Sequence, residues 1–218
     1  MDKAYLVLVD AKDEKWQECM HPLFSDERLK KIARFQLDGM RVDSACAELA
    51  FLAAQKMAFG GIGKNLYEYR ENNKPYFKET KYGCLSFAHT RGIGACLIAP
   101  VMCGVDVEVK ERNVDKIREK IRFRHAEEEI NPLTLWCVKE SFVKLTGEGL
   151  SRPFSELEFR DDAIMAEDGT HLAWAKTGKM ERAVWAVSLE REMPVCAFYL
   201  SVEKAHRTVG VTGETTAL

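Results

Sequence analysis

Two short stretches carry side chains whose types and spacing could do chemistry. In Gly104-Val105-Asp106-Val107-Glu108-Val109, valines alternate with acids. On a β-strand successive side chains point to opposite faces, so Asp106 and Glu108 share one side and the valines the other. The ordinary reading is a half-exposed strand; the sharper one is a pair of hard oxygen ligands presented in parallel. In Trp136-Cys137-Val138-Lys139-Glu140-Ser141-Phe142-Val143-Lys144, helical spacing puts Leu135, Val138, Phe142 and Leu145 on one face. Trp136, Glu140 and Lys144, spaced i, i+4, i+8, fall on the opposite face. A solvated Glu-to-Lys pair would be worth only ~0.2–0.5 kcal/mol. A large aromatic on that same face is seldom left in water, so the second face is expected to line a cleft.

If Glu140 converges on Asp106 and Glu108, three carboxylates ~4 Å apart would repel by ~4 kcal/mol per pair at an effective dielectric of ~20. Such a group takes up protons or holds a cation. All-oxygen ligation favours Mg²⁺, which commonly shares phosphate oxygens with its substrate, and Lys144 is one turn beyond Glu140 to meet a phosphate. Cys137 could be a nucleophile, but no histidine lies within helical reach of it.

The elements that must position these residues follow from pattern. Ala4–Val9 is a short buried strand, and Ser25 has N-cap character for a basic helix reaching about Leu37. A helix runs from Arg41 to Phe59 and stops at Gly60-Gly61. Strands follow at 66–70, 75–77, 84–89, 93–99 and 104–109, then a charged helical stretch at 113–130. Pro132 opens a helix to Thr146 with Gly147 as its C-cap. Strands at 155–160, 163–167, 171–176, 182–189 and 194–202 close the pattern, Asp168-Gly169 forming a hairpin turn. The fold class is α+β: two similar halves, each a small mostly antiparallel sheet packed with helices, meeting near 100–104 with a cleft between them. The halves are taken as 1–102 and 103–203, with a frayed polar tail at 204–218.

The chain has 218 residues, 46% apolar and 30% charged, with 32 Lys+Arg against 34 Asp+Glu. That composition excludes disordered, collagenous and coiled-coil classes. A net charge of −2 argues against a nucleic-acid partner coating the surface. The seven cysteines are scattered, without CxxC or zinc spacing, and read as core thiols of a reducing compartment. No signal peptide or membrane span is evident, so a cytoplasmic protein is expected. Two halves in one chain make a monomer sufficient.

Gly-Val-Asp-Val-Glu at 104–108, Trp-Cys-Val-Lys-Glu-Ser-Phe-Val-Lys at 136–144 and Gly-Glu-Gly-Leu at 147–150 together resemble the 4′-phosphopantetheinyl transferase superfamily. The nearer likeness is to its surfactin-synthetase-type subclass, whose single chain carries two pseudo-symmetric halves. Ser25–Phe35 is similar to the family's basic N-terminal helix, Asn73–Phe77 to its Gly-Lys-Pro segment, and Leu85–Thr90 to its Asn-Ile-Ser-His-Ser strand.

The resemblance implies transfer of 4′-phosphopantetheine from coenzyme A to a serine of an acyl or peptidyl carrier protein, with Mg²⁺ and release of 3′,5′-ADP. It implies Asp106, Glu108 and Glu140 as Mg²⁺ ligands, and Arg28, Lys31 and His89 as the grip on the 3′-phosphate. Lys74 becomes a further nucleotide contact, Lys144 the lysine beside the pyrophosphate, and Glu140 and Lys144 the catalytic pair. Residues 145–176 would contribute to carrier docking. Beside these stand plainer readings: His89 as a core histidine, and the basic helix as a solvated face. Two other functions stay open on the residues: a non-catalytic coenzyme A or carrier-binding module, and a Mg²⁺-dependent pyrophosphate hydrolase.

Overall fold

A computed structural model describes residues 1–63, 65–121 and 127–210. The chain runs β1 (Ala4–Asp10), α1 (Asp26–Ala33), α2 (Asp38–Phe59), β2 (Tyr67–Tyr69), β3 (Pro75–Phe77), β4 (Cys84–Thr90), β5 (Ile93–Ala99) and β6 (Cys103–Val109). It continues through α3 (Val114–Ile121), α4 (Pro132–Thr146), β7 (Leu157–Arg160), β8 (Ala163–Ala166), β9 (His171–Lys179), β10 (Ala183–Leu189), β11 (Val195–Ser201) and α5 (Val202–Val209). This is the expected α+β class.

Two sheets stack face to face. One has the order β11-β1-β5-β4 and the other β6-β10-β9-β8-β7, with β2-β3 a separate hairpin. Leu6 and Leu8 of β1, Ala95 and Leu97 of β5, the valines of β6, and Trp185 and Val187 of β10 fill the space between the sheets. The outer face of the first sheet is covered by α2, through Leu49, Phe51 and Ala53 against Val7, Cys96 and Ile98. The outer face of the second is covered by α4, through Leu135, Val138 and Phe142 against Val184, Ala186 and Ala175. The result is four layers, α/β/β/α, with α2 and α4 each buried on more than the face that meets its sheet.

Two glycines permit the close approach of helix to sheet. At Gly104 a Cβ would overlap the Ser141 carbonyl and the Leu145 amide of α4; at Gly94 it would overlap α2 at Cys46 and Ala47. Any side chain at Gly104 would push α4 off the strand that carries Asp106.

Three features differ from the sequence expectations. The basic helix ends at Ala33, because Leu37 is extended and starts α2 instead. The segment expected to fray from 204 is helical to Val209, with Val202, Ala205 and Val209 buried; residues 211–218 of that tail lie outside the described residues. The boundary at 102/103 is crossed by β11, which pairs in parallel with β1, Ala4 opposite Val195 through Asp10 opposite Ser201. That pairing satisfies the outer edge of β1 with a strand nearly two hundred residues away, which no local pattern announces. Within the charged stretch expected to be helical at 113–130, α3 covers Val114–Ile121, and 122–126 lie outside the described residues. All seven cysteines are free thiols, and no helix among the described residues is long and apolar enough to cross a membrane.

The docking of α5 yields a pH prediction. His21 is 3% exposed, accepts a hydrogen bond at Nδ1 from the Leu23 amide (3.1 Å), and meets the His206 ring edge-on at 5.1 Å. Burial, then the neighbouring His206, pushes the His21 imidazole down to about 4. The folded state therefore holds it neutral, while the unfolded chain takes a proton near 6.5. Folding stability is thus unaffected above about 6.5 and falls as pH drops toward 4, by roughly 3 kcal/mol. In urea titrations at stepped pH, His21→Asn should reduce the acid-side slope by about one proton. An unchanged slope contradicts the assignment.

Candidate active site

The register of β6 and the seating of α4 bring the sequence-flagged acids into one region. Val105, Val107 and Val109 point between the sheets, so Asp106 and Glu108 point toward α4. The start of α4 is fixed by Asn131, whose Oδ1 accepts from the amides of Leu133 (2.9 Å) and Thr134 (3.3 Å), with Pro132 at the first turn. Its end is fixed by Gly147 at φ 79°, whose amide closes on the Val143 carbonyl at 2.9 Å. Ser141 Oγ lies 2.7 Å from Ser188 Oγ of β10 and locks the rotation of the helix over the sheet.

Both faces of α4 are covered. Trp136 is buried edge-on to Phe154 at 5.4 Å, and Arg112 lies over its ring at 4.8 Å. Cys137 is fully buried, and burial followed by Asp106 holds its thiol protonated, which removes it as a nucleophile.

Cations of the chain meet the acids directly. Lys144 Nζ donates to Asp106 Oδ1 at 2.7 Å. Arg112 pairs with Glu108 Oε1, and Thr90 Oγ1 donates to Glu108 Oε2 at 3.2 Å. Asp106 Oδ2 is buried without a hydrogen-bond partner. Burial, and next Asp106, raises the Glu140 carboxyl above the usual carboxylate range, against Lys144, Arg112 and Lys120. Glu140 and Asp106 thus sense each other's charge. Among the described residues no three His, Cys, Asp or Glu side chains are grouped closely enough to hold a metal ion. The donor set nonetheless suits a hard divalent cation: Asp106 Oδ2 is buried and bare, and the ligands offered are all oxygens.

Beside the acids opens a cavity of about 490 Å³ whose walls include Arg28, Lys31, Lys74, His89 and Lys144. Every residue with an expected nucleotide role therefore faces one space, contributed by α1, the β2–β3 hairpin, β4 and α4. The three carboxylates are not in its wall; Lys144 joins the two regions, lining the cavity while its ammonium sits on Asp106. Lys31 stands over the Tyr69 ring at 4.4 Å. His89 is exposed, its Nδ1 3.7 Å from Asp43 Oδ2. Lys74 donates to the Leu145 carbonyl, and Asn72 Nδ2 donates to the Gly147 carbonyl at 3.0 Å. These two satisfy the open carbonyls at the end of α4 and tie the hairpin to it. Burial pushes the Lys74 ammonium below its usual range.

Arg28 is the most constrained of the cations. Its Nη2 donates to the Ser44 carbonyl at 2.7 Å, and its Nε lies 3.1 Å from Glu48 Oε2, which also accepts from Tyr67 OH at 2.9 Å. Burial is the larger influence on Glu48 and raises its carboxyl despite Arg28. Sequence reasoning missed Glu48, although a lone acid within the apolar run Ala45-Cys46-Ala47 and Leu49-Ala50-Phe51-Leu52-Ala53-Ala54 was a usable signal of a buried partner. It also missed the Lys139–Glu127 pair (3.0 Å, 1% and 0% exposed), Thr90 as a donor to Glu108, and Arg112, none of which spacing reveals.

A search of curated proteins finds no match to the chain. The segment from residue 102 to 187, which carries β6, α4 and all of Asp106, Glu108, Glu140 and Lys144, matches the family model of the 4′-phosphopantetheinyl transferase superfamily.

Proposed function

We propose that the protein transfers 4′-phosphopantetheine from coenzyme A to a serine hydroxyl of an acyl or peptidyl carrier protein, releasing 3′,5′-ADP. The observation that carries this reading is Lys144, which bridges the acids of β6 and α4 to a cavity lined by four further cationic or protonatable side chains. A pyrophosphate bearing a nucleotide 3′-phosphate is an extended polyanion, and this is an extended set of cations beside the carboxylates of β6 and α4.

In this reading Arg28, Lys31 and His89 hold the 3′-phosphate, with Lys74 on the nucleotide. Asp106, Glu108 and Glu140 would hold Mg²⁺, which supplies positive charge against the pyrophosphate when bound. Lys144 leaves Asp106 for the pyrophosphate and neutralises charge growing on the departing phosphate. The serine oxygen bonds to the β-phosphorus, the bond from that phosphorus to the bridging oxygen breaks, and 3′,5′-ADP leaves with the electron pair. Glu140, directly or through a water, takes the serine proton. Positioning and electrostatics do the work, and no covalent enzyme intermediate forms.

Incubating the protein with coenzyme A, Mg²⁺ and a panel of apo-carriers should add one phosphopantetheine mass to a carrier. A panel left unmodified contradicts the reading, as does release of phosphopantetheine in the absence of any carrier. The 3′-phosphate role has its own test: His89→Ala should raise KM for coenzyme A about tenfold, the loss of one charge-assisted bond. It should scarcely change KM for 3′-dephospho-coenzyme A, and equal losses on both would remove His89 from that role.

A further inference from the structure

Both oxygens of Glu108 are already engaged, Oε1 by Arg112 and Oε2 by Thr90. Arg112 reaches Glu108 because the turn after β6, closed by its own amide on the Val109 carbonyl (3.1 Å), folds the chain back over the strand. The guanidinium has a second seat that does not involve Glu108: it lies over the ring of buried Trp136 at 4.8 Å. It also bears on Glu140, whose ionisation it favours. One side chain thus touches or faces two of the three acids while resting on an aromatic surface that stays in place whatever the acids do.

We propose that Arg112 is a counter-cation built into the acidic site, one that competes with the divalent ion and sets how much of that ion the protein requires. The inference rests on the reading that Asp106, Glu108 and Glu140 hold a divalent cation. Lys144, Arg112 and Lys120 together already offset the three acids, so a divalent ion overshoots least by exchanging for the cation that occupies a ligand oxygen, Arg112 on Glu108 Oε1. Glu108 is the ligand that must be released, since both of its oxygens are in use while Asp106 keeps Oδ2 bare. Release strands no bare cation, because the guanidinium already lies over the Trp136 ring. Lysine would keep the charge but lose the broad guanidinium contact with the Trp136 ring.

The test uses Mn²⁺ as probe, with free ion counted by electron paramagnetic resonance in the absence of coenzyme A and carrier. Arg112 is a third exposed, so Arg112→Gln leaves the core untouched. Arg112→Gln should bind Mn²⁺ about five- to tenfold more tightly than the unaltered protein, the effect of removing one partly exposed ion pair and one like charge. Arg112→Lys should stay within about twofold of the unaltered protein, the charge being kept. Asp106→Asn serves as the control on the underlying reading and should lose most binding. Unchanged or weaker binding by Arg112→Gln, with Asp106→Asn impaired, overturns the role of Arg112 alone. Arg112→Lys binding as tightly as Arg112→Gln also overturns it, since charge would not be the cause. Undiminished binding by Asp106→Asn overturns the carboxylate site and the role of Arg112 with it.

Discussion

Asp106→Ala abolishes transfer, with kcat/KM falling by at least ~10³, the scale of losing a central electrostatic group, while the protein stays folded. Asp106 is 7% exposed, one oxygen is held by Lys144, and the other is buried without a partner. Its carboxylate also raises the proton affinity of Glu140. Taking it away relieves an unsatisfied buried oxygen and releases a lysine whose side chain is already about a third exposed. Thermal stability should therefore hold or rise slightly, the pattern expected where an acid is kept for function rather than for the fold. The same mass assay on carrier and a thermal melt, run together, check both halves. Full activity in the variant would remove Asp106 from the reaction, and an unfolded variant would make it a structural residue.

Lys139→Met produces the largest loss of stability. Lys139 Nζ bonds Glu127 Oε2 at 3.0 Å and the Phe154 carbonyl at 3.2 Å, and Glu127 Oε1 accepts from the Phe159 amide at 2.9 Å. Lysine and glutamate are 1% and 0% exposed, so the substitution takes the Lys139 ammonium away from a buried carboxylate. Such losses run ~3–5 kcal/mol, which lowers the melting temperature by roughly 10 °C in a chain of this size. Adding Glu127→Gln should recover much of the loss, because the amide oxygen can still accept from Phe159 while the charge is gone. Urea unfolding of the single and double variants measures this. A single-variant cost under about 1 kcal/mol, or no recovery in the double variant, contradicts a buried, mutually dependent pair. Lys139 and Glu140 are adjacent, so the pair that anchors α4 on one face steadies the face that presents Glu140 and Lys144.

What the sequence made legible was whatever depends on neighbours along the chain. Asn131, Pro132 and Gly147 bounded α4 because caps obey local backbone chemistry. The alternation in β6 told which side Asp106 and Glu108 would take, since a strand has period two. The Trp136–Glu140–Lys144 stripe indicated that both helix faces would be covered, and Trp136 is indeed buried. Long-range partners were another matter. The parallel pairing of β11 with β1 joins the two ends of the chain, and α5 is buried through only Val202, Ala205 and Val209. A short polar helix of that kind takes its stability from docking rather than from propensity. Arg112 and Glu127 sit in charged stretches where every residue looks alike, and only the fold selects which one meets Glu108 or Lys139. Arg28 was placed at the cavity, yet the acid that balances it, Glu48, is on another helix.

Diffraction from crystals grown with coenzyme A and Mn²⁺, with data collected at the manganese absorption edge, tests the account at its centre. The expected result is one anomalous peak about 2.1 Å from carboxylate oxygens of Asp106, Glu108 and Glu140, with the pyrophosphate on its open side and the 3′-phosphate at Arg28, Lys31 and His89. A manganese peak away from these three acids, or coenzyme A bound outside the cavity that Lys144 lines, would contradict it.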